Sequence, residues 1–132
     1  MPLTADRNTP SMDGELIAVP VATATTIYAG SIVVANANGY AAPGSTATTL
    51  QYLGRAEETV VNAGANGAKT ILVRRKQAFK WGNYASDAIV QADLGKTAYI
   101  FDDAQVAKTS GGSTRSIAGK IIQLDSDGVW IE

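Results

Sequence analysis

The fold is best predicted from residues 116–132, which read Ser-Ile-Ala-Gly-Lys-Ile-Ile-Gln-Leu-Asp-Ser-Asp-Gly-Val-Trp-Ile-Glu. Ile117 to Leu124 is rich in β-branched residues, Asp125 to Gly128 has the composition of a turn, and Val129 to Ile131 is apolar and aromatic. This pattern is typical of a β-hairpin. Because a disordered tail would not carry so much apolar surface, we expect Trp130 to be buried and the last strand to pair within a sheet; the alternative is that Trp130 is an anchor residue at an interface.

An earlier segment follows the same pattern. Gly30 to Tyr40 reads Gly-Ser-Ile-Val-Val-Ala-Asn-Ala-Asn-Gly-Tyr and aligns position by position with Gly119 to Val129. Two similar hairpins indicate one kind of β architecture used twice.

Composition excludes several classes of site. The 132 residues fit a single domain with a substantial core. There is no cysteine and no histidine, so the chain offers no disulfide, no thiolate or imidazole metal ligand and no Ser-His-Asp or Cys-His nucleophile system. We therefore predict a protein that is not an enzyme and that holds no cofactor and no metal.

Charge and hydropathy disfavour nucleic acid and membrane partners. Eleven basic and twelve acidic residues give a net charge of -1, which provides no long-range attraction for nucleic acid. The apolar stretches are strand-sized, far below the ~20 residues of a membrane helix, and the N-terminus lacks the layout of a signal peptide. We expect no direct nucleic-acid partner and no membrane, and a chain that stays in the cytoplasm where it is made.

Strand signals follow one another closely along the chain, without room for crossover helices. We predict strands over 15–22, 27–35 with a bulge or bend at Gly30, 40–42, 50–61 with a kink at Gly54, 69–81, 97–101 and 105–108, before the closing hairpin; residues 88–92 are a strand or a helical turn. The predicted class is all-β, a compact antiparallel barrel or jelly-roll-like sandwich. Residues 1–14, with two prolines and no periodicity, form an extended N-terminal arm, and residues 15–132 form a single β domain.

Residues 69–81 have the clearest division of polarity. A continuous strand would place Ile71, Val73, Phe79 and Trp81 on one face and Arg74, Lys76 and Lys80 on the other. Such a basic face is most often a solvated sheet surface, with a protein contact as the next interpretation and nucleic acid as a minor one.

Other polar motifs are explained by turns and loops. The Asp125 to Gly128 segment begins like a calcium loop, but its glycine comes too early, so a hairpin turn is favoured. The pairs Glu57-Glu58 and Asp102-Asp103 are sequence neighbours, which point to opposite faces of a strand and cannot act together on one bond. The glycine-rich segments 64–67 and 110–113 lack the context of a phosphate loop.

Three phrases of the sequence carry a resemblance to a known family. They are Leu53-Gly-Arg-Ala-Glu-Glu-Thr-Val, Asp93-Leu-Gly-Lys-Thr-Ala-Tyr-Ile-Phe-Asp-Asp-Ala-Gln-Val-Ala-Lys-Thr and the closing segment 116–132. In these phrases, and in others from about Val19 onward, the chain resembles the small capsid cement (head decoration) proteins of tailed bacteriophages and prophages. The resemblance implies a small β domain with a structural role.

These observations lead to one functional hypothesis and one alternative. The hypothesis is a capsid decoration protein that binds the outer surface of an assembled phage head and stabilises contacts between major capsid subunits. Its partners would be the major capsid protein and neighbouring copies of itself, as a dimer or trimer; it would be found on the virion, and in the host cytoplasm during assembly. The candidate interface residues are Leu3, Asp6, Arg7, Arg74, Lys76 and Lys80. The alternative is a β-sandwich binding module, carbohydrate-binding or adhesin-like, on a virion or cell surface.

Overall fold

The computed structural model describes residues 2–132, so Met1, the first residue of the predicted arm, lies outside the described residues. Within that range the chain is all-β, which confirms the predicted class. The strands are β1 (Leu16–Pro20), β2 (Thr25–Ile27), β3 (Ile32–Ala35), β4 (Ala41–Pro43), β5 (Gln51–Ala56), β6 (Val60–Asn62), β7 (Thr70–Arg74), β8 (Phe79–Asn83), β9 (Thr97–Ile100), β10 (Gln105–Ala107), β11 (Ile117–Asp125) and β12 (Gly128–Ile131). Short 3₁₀ turns occur at Ala85–Asp87 and Gln91–Asp93. Neither of these turns, the only helical segments described, could cross a bilayer.

Five of the strands form a closed barrel in the order β10, β8, β12, β11, β9. All neighbours are antiparallel except β10 and β8, which run parallel with Gln105 opposite Gly82. The closing hairpin is confirmed, because β11 and β12 pair from Asp125 opposite Gly128 towards Ile121 opposite Ile131. β12 also pairs with β8, so the predicted pairing of the last strand within the sheet is confirmed as well.

The other strands build a five-stranded antiparallel sheet in the order β1, β7, β5, β3, β4 and a two-stranded ribbon of β2 and β6. β3 joins this sheet to the barrel because both of its faces are buried. Ile32 and Val34 pack with barrel residues in one core, whereas Val33 packs in a second core beneath the sheet. Alternation along an extended strand sends neighbouring side chains to opposite faces, and here each face has its own core.

The first hairpin of the repeat is also present, as β3 and β4. Its turn is held by Asn36, whose Oδ1 accepts hydrogen bonds from the backbone N–H groups of Asn38 and Tyr40, both at 3.0 Å. This is the local bonding that favours asparagine in turns. The two related hairpins differ in position, since β4 lies at the edge of its sheet and β12 in the interior of the barrel wall.

Three predicted strands are each divided in two. Residues 27–35 contain the end of β2 and all of β3, separated by a turn at Gly30, where φ is 85°. Residues 50–61 contain β5 and most of β6, and residues 69–81 contain β7 and part of β8. The breaks change the sheet to which the chain belongs, because β7 lies in the open sheet and β8 in the barrel. Residues 88–92 contain the start of a 3₁₀ turn.

The N-terminal arm is exposed. Residues 2–13 contain no helix or strand, and every one of them is exposed. Its base is held by the loop after β7, where the Arg75 backbone N–H donates to the Glu15 carbonyl at 2.7 Å and Arg75 Nη1 donates to the Gly14 carbonyl at 3.4 Å. The arm therefore leaves the body at Gly14, immediately before the edge strand β1.

Candidate interaction surfaces

The single basic face predicted for residues 69–81 is not formed. The four apolar side chains of that prediction are all buried, but they do not share one face: Ile71 and Val73 lie in the core beneath the sheet, and Phe79 and Trp81 lie in the barrel core. Arg74 and Lys80, however, stand on strands of different sheets, and Lys76 lies in the loop between them with a φ of 59°. The structure therefore does not place the three cations on one strand face.

Two of these cations are already paired with carboxylates. Arg74 Nε lies 3.3 Å from Glu57 Oε1, which Arg55 Nη2 also contacts at 2.8 Å. The hydrogen bond from Arg55 is the main cause of the lowered pKa of Glu57. Lys80 Nζ lies 2.8 Å from Asp127 Oδ2, and this hydrogen bond raises the pKa of Lys80. Pairs this exposed contribute little to stability, but they balance the local charge.

The other predicted interface residues lie in or near the arm. Leu3, Asp6 and Arg7 are exposed, and 71% of the Leu3 surface is accessible. Arg7 Nη1 donates to Thr9 Oγ1 at 2.7 Å, a bond within the arm itself. Lys76 is exposed at the base of the arm, where its Nζ lies 2.9 Å from the point that a Cβ on Gly14 would occupy.

A row of side chains on the outer face of the barrel was not predicted. Trp130 in β12 stands opposite Gln123 in β11 on one side and Lys80 in β8 on the other. Trp130 is half-buried, whereas its neighbours Val129 and Ile131 are fully buried in the barrel core. The prediction that Trp130 is buried is therefore wrong. Successive side chains of a strand point to opposite faces, so an inward Val129 and an inward Ile131 place the Trp130 ring on the outer face.

The Trp130 ring is held in place by polar contacts. Its Nε1 donates to Asp125 Oδ2 at 2.7 Å, and Gln123 Nε2 donates to Asp125 Oδ1 at 2.9 Å. These two hydrogen bonds, with that of Trp130 first, lower the pKa of Asp125. Lys80 Nζ lies 6.0 Å from the centre of the Trp130 ring. The outer row of Gln123, Trp130 and Lys80 is thus a pre-organised aromatic surface of the kind that anchors protein interfaces.

A groove of about 620 Å³ opens on another part of the surface. Four separate segments of the chain line it: the start of β5 with the residues before it, Tyr99 in β9, the loop 110–115, and the start of β11. Ser116 joins two of these walls, because its Oγ donates to the Ala47 carbonyl at 2.7 Å and accepts from the Leu50 N–H at 3.1 Å. Ser116 is itself buried, so the joint is shielded from water.

The loop 109–115 forms one rim of the groove and is held by Asp87. Asp87 Oδ2 accepts from the Thr109 N–H at 3.0 Å, from Thr109 Oγ1 at 2.6 Å and from Arg115 Nη1 at 2.8 Å. The Thr109 hydroxyl is the main reason that the pKa of Asp87 is lowered, and Arg115 adds to the effect.

Arg115 also lies close to two stacked aromatic rings. The ring centres of Tyr84 and Phe101 lie 3.6 Å apart, and the guanidinium carbon of Arg115 is 5.6 Å and 5.5 Å from them. Among residues 2–132, Arg115 Nε is a buried side-chain nitrogen without a hydrogen-bond partner. The attraction between the cation and the rings offsets part of that cost.

Sequence reasoning missed this groove because its residues are far apart in the chain. Two backbone signals mark it in the structure, since Thr49 and Ser113, both in its lining, have φ values of 64° and 68°. Non-glycine residues with positive φ are uncommon, and such strain often occurs at functional sites.

Comparisons with family models, with curated proteins and with solved structures gave no match for this chain.

Proposed function

We propose that this protein is a capsid decoration protein that binds the outer surface of an assembled phage head and stabilises contacts between major capsid subunits. The sequence resemblance suggests the class. The observation that carries the proposal is the arm, because residues 2–13 are exposed and lead directly into the edge strand β1. A polar arm of this kind adds contact area on a partner while the body folds without it.

The outer row supports the same proposal from the body of the protein. Trp130 is an aromatic residue that the fold holds partly open to solvent between Gln123 and Lys80. Partly exposed tryptophans held in a fixed orientation are typical anchors of protein interfaces. The capsid would then be contacted by the exposed arm and by this rigid row, with neighbouring copies on the lattice as further partners.

Stabilisation would follow from mass action. A protein that binds only the assembled lattice lowers the free energy of that state, by about 2.7 kcal/mol per site when its concentration is about 100 times Kd. Because one head carries many identical sites, a modest binding free energy at each site adds up to a large stabilisation of the head.

The test uses heads assembled from the major capsid protein of the same phage without this protein. Purified chain is added, occupancy is measured by cryo-electron microscopy, and head disassembly is followed on heating. We expect decorated heads to disassemble at a higher temperature. Deleting residues 2–11, or the substitution Trp130→Ala, should lower occupancy, whereas Tyr28→Ala, at another exposed aromatic residue, should not. Heads that stay bare at saturating protein would refute the proposal.

A further inference from the structure

The groove has the chemistry of a ligand site that the capsid proposal does not use. Its volume of about 620 Å³ lies within the range of small-molecule sites. Four polar side chains in its lining make no hydrogen bond to any residue among 2–132: the hydroxyls of Thr48, Ser113 and Tyr99 and the amide of Gln51. Because these groups are exposed or half-buried, a ligand could bond to them without breaking contacts of the fold.

An apolar patch lies among these polar groups. Tyr99 in β9 pairs directly with Ile117 in β11, and both point away from the barrel core. Ile117 is 59% exposed, a large value for an isoleucine at a paired strand position. A flat aromatic ring beside an exposed aliphatic chain suits a ligand that has one apolar face.

The charge of the groove is balanced. Arg115 is the one ionisable cation or carboxylate side chain in the described lining, and it is already paired with Asp87 at 2.8 Å. Burial raises the pKa of the Tyr52 phenol to about 12, so that group is neutral at physiological pH. The ligand that fits is therefore uncharged.

From these features we infer that the groove binds a neutral saccharide. A pyranose ring has an apolar face of C–H groups that stacks on an aromatic ring, and a rim of hydroxyls that both donate and accept. The Gln51 amide can donate to one ring hydroxyl and accept from the next, and the Thr48 and Ser113 hydroxyls can do either.

Two alternatives fit the groove less well. An extended peptide would bind by adding to a strand edge, but at Tyr99 β9 is already paired with Ala107 of β10 on one side and with Ile117 of β11 on the other. Hydrolysis of a bound sugar would need two carboxyl groups across the glycosidic bond, and the described lining contains none. The site is thus one for binding rather than for catalysis.

The experiment titrates the ¹⁵N-labelled protein with maltotriose, cellotriose and triacetylchitotriose, with sialyllactose as a charged comparison. We expect at least one neutral trisaccharide to shift the signals of Gln51, Tyr99 and the loop 110–115. Gln51→Ala should weaken that binding about tenfold, which corresponds to about 1.4 kcal/mol for the lost hydrogen bonds. Thr48→Ala should weaken it less.

Gln77→Ala provides the matched control, because Gln77 is an exposed glutamine outside the groove. Its binding should equal that of the unchanged protein. The proposal is overturned if no neutral sugar shifts the groove at millimolar concentration, if the shifts fall elsewhere, if sialyllactose binds more tightly, or if Gln51→Ala binds as well as Gln77→Ala. These results do not depend on whether the protein binds heads.

Discussion

Val33 and Val34 are neighbours in β3, yet their side chains enter two different hydrophobic cores. Both are fully buried. β3 belongs to the open sheet, but one of its faces packs into the barrel core, so neither core is complete without it. Two cores that both depend on the side chains of one strand should lose their structure together.

The first prediction concerns this coupling. Ile71→Ala removes a fully buried side chain from the sheet core, and Ile131→Ala removes one from the barrel core. Each should lower the free energy of unfolding by about 2 to 5 kcal/mol. In calorimetry and denaturant titration, both variants should show one cooperative transition. Two separate transitions in either variant would mean that the barrel and the sheet unfold independently.

The second prediction compares the two tryptophans. Trp81 is buried in the barrel core and its Nε1 donates to the Tyr52 hydroxyl at 3.1 Å, so Trp81→Ala should cost about 3 to 5 kcal/mol. Trp130 lies on the outer face, and Trp130→Ala should cost about 1 kcal/mol, close to the value of its hydrogen bond to Asp125. Urea denaturation of both variants measures the difference. Equal losses in the free energy of unfolding would indicate that Trp130 contributes to the core as Trp81 does.

The third prediction concerns Gly54 in β5. Its φ is 153°, and a Cβ at this position would collide with the Arg74 carbonyl in the neighbouring strand β7. Gly54→Ala must therefore push β5 and β7 apart, and we expect a loss of at least about 3 kcal/mol. Gly39, with φ of 83° and open space around it, is the control for backbone strain alone, and Gly39→Ala should cost about 1 to 2 kcal/mol. If Gly39→Ala lowers the thermal unfolding midpoint more than Gly54→Ala does, the predicted collision is contradicted.

The fourth prediction is a pH dependence of the groove rim. The pKa of Asp87 is lowered in the folded protein, chiefly by the Thr109 hydroxyl and also by Arg115. Its contribution to stability is therefore fully present above the ordinary aspartate pKa of about 3.9, and it is lost as the pH falls through the lower folded pKa. The rim should stay ordered from neutral pH down to about pH 4 and loosen below it.

NMR relaxation of residues 109–115 follows this change, with Asp87→Asn as the test variant. An asparagine side chain at this position has no charge for Arg115 to pair with and does not titrate, so the rim should be looser than in the unchanged protein at neutral pH and should change little on acidification. Asp6→Asn, in the exposed arm, should behave like the unchanged protein. If acidification loosens the rim of the Asp87→Asn variant as much as that of the unchanged protein, the pH dependence belongs to another group.

The hairpins could be predicted from sequence because their signals are local. The β-branched runs and the Asn and Asp turns specify Asn36 to Gly39 and Asp125 to Gly128 without reference to distant residues. Residues 50–61 and 69–81 were predicted as single strands because strand propensity continues across their breaks. The breaks are decided by which sheet each half joins, and that is a long-range property.

The groove could not be predicted for the same reason. Gln51, Tyr99 and Ser113 are brought together only when the barrel closes and β5 packs beside β11. Nor does the sequence indicate that Asp87 and Arg115 form a pair, because 28 positions separate them. The outward direction of Trp130 could have been predicted from the alternation of side chains along a strand. The apolar character of its two neighbours instead favoured the wrong interpretation, that Trp130 is buried.

The interior position of β12 also sets the order in which the polypeptide can fold during synthesis. All strands of the open sheet lie before residue 75, but β8 waits for a partner that is made about 45 residues later. At synthesis rates of ~5 to 20 residues per second, that wait lasts about 2 to 9 seconds. During it, Phe79 and Trp81 in β8 and Ile32 and Val34 in β3 lack the later strands that complete their core, so the nascent chain exposes apolar surface on both strands. Transiently exposed apolar surface makes a nascent chain prone to aggregation, so we expect the yield of folded protein to depend on chaperones that bind the chain at this stage.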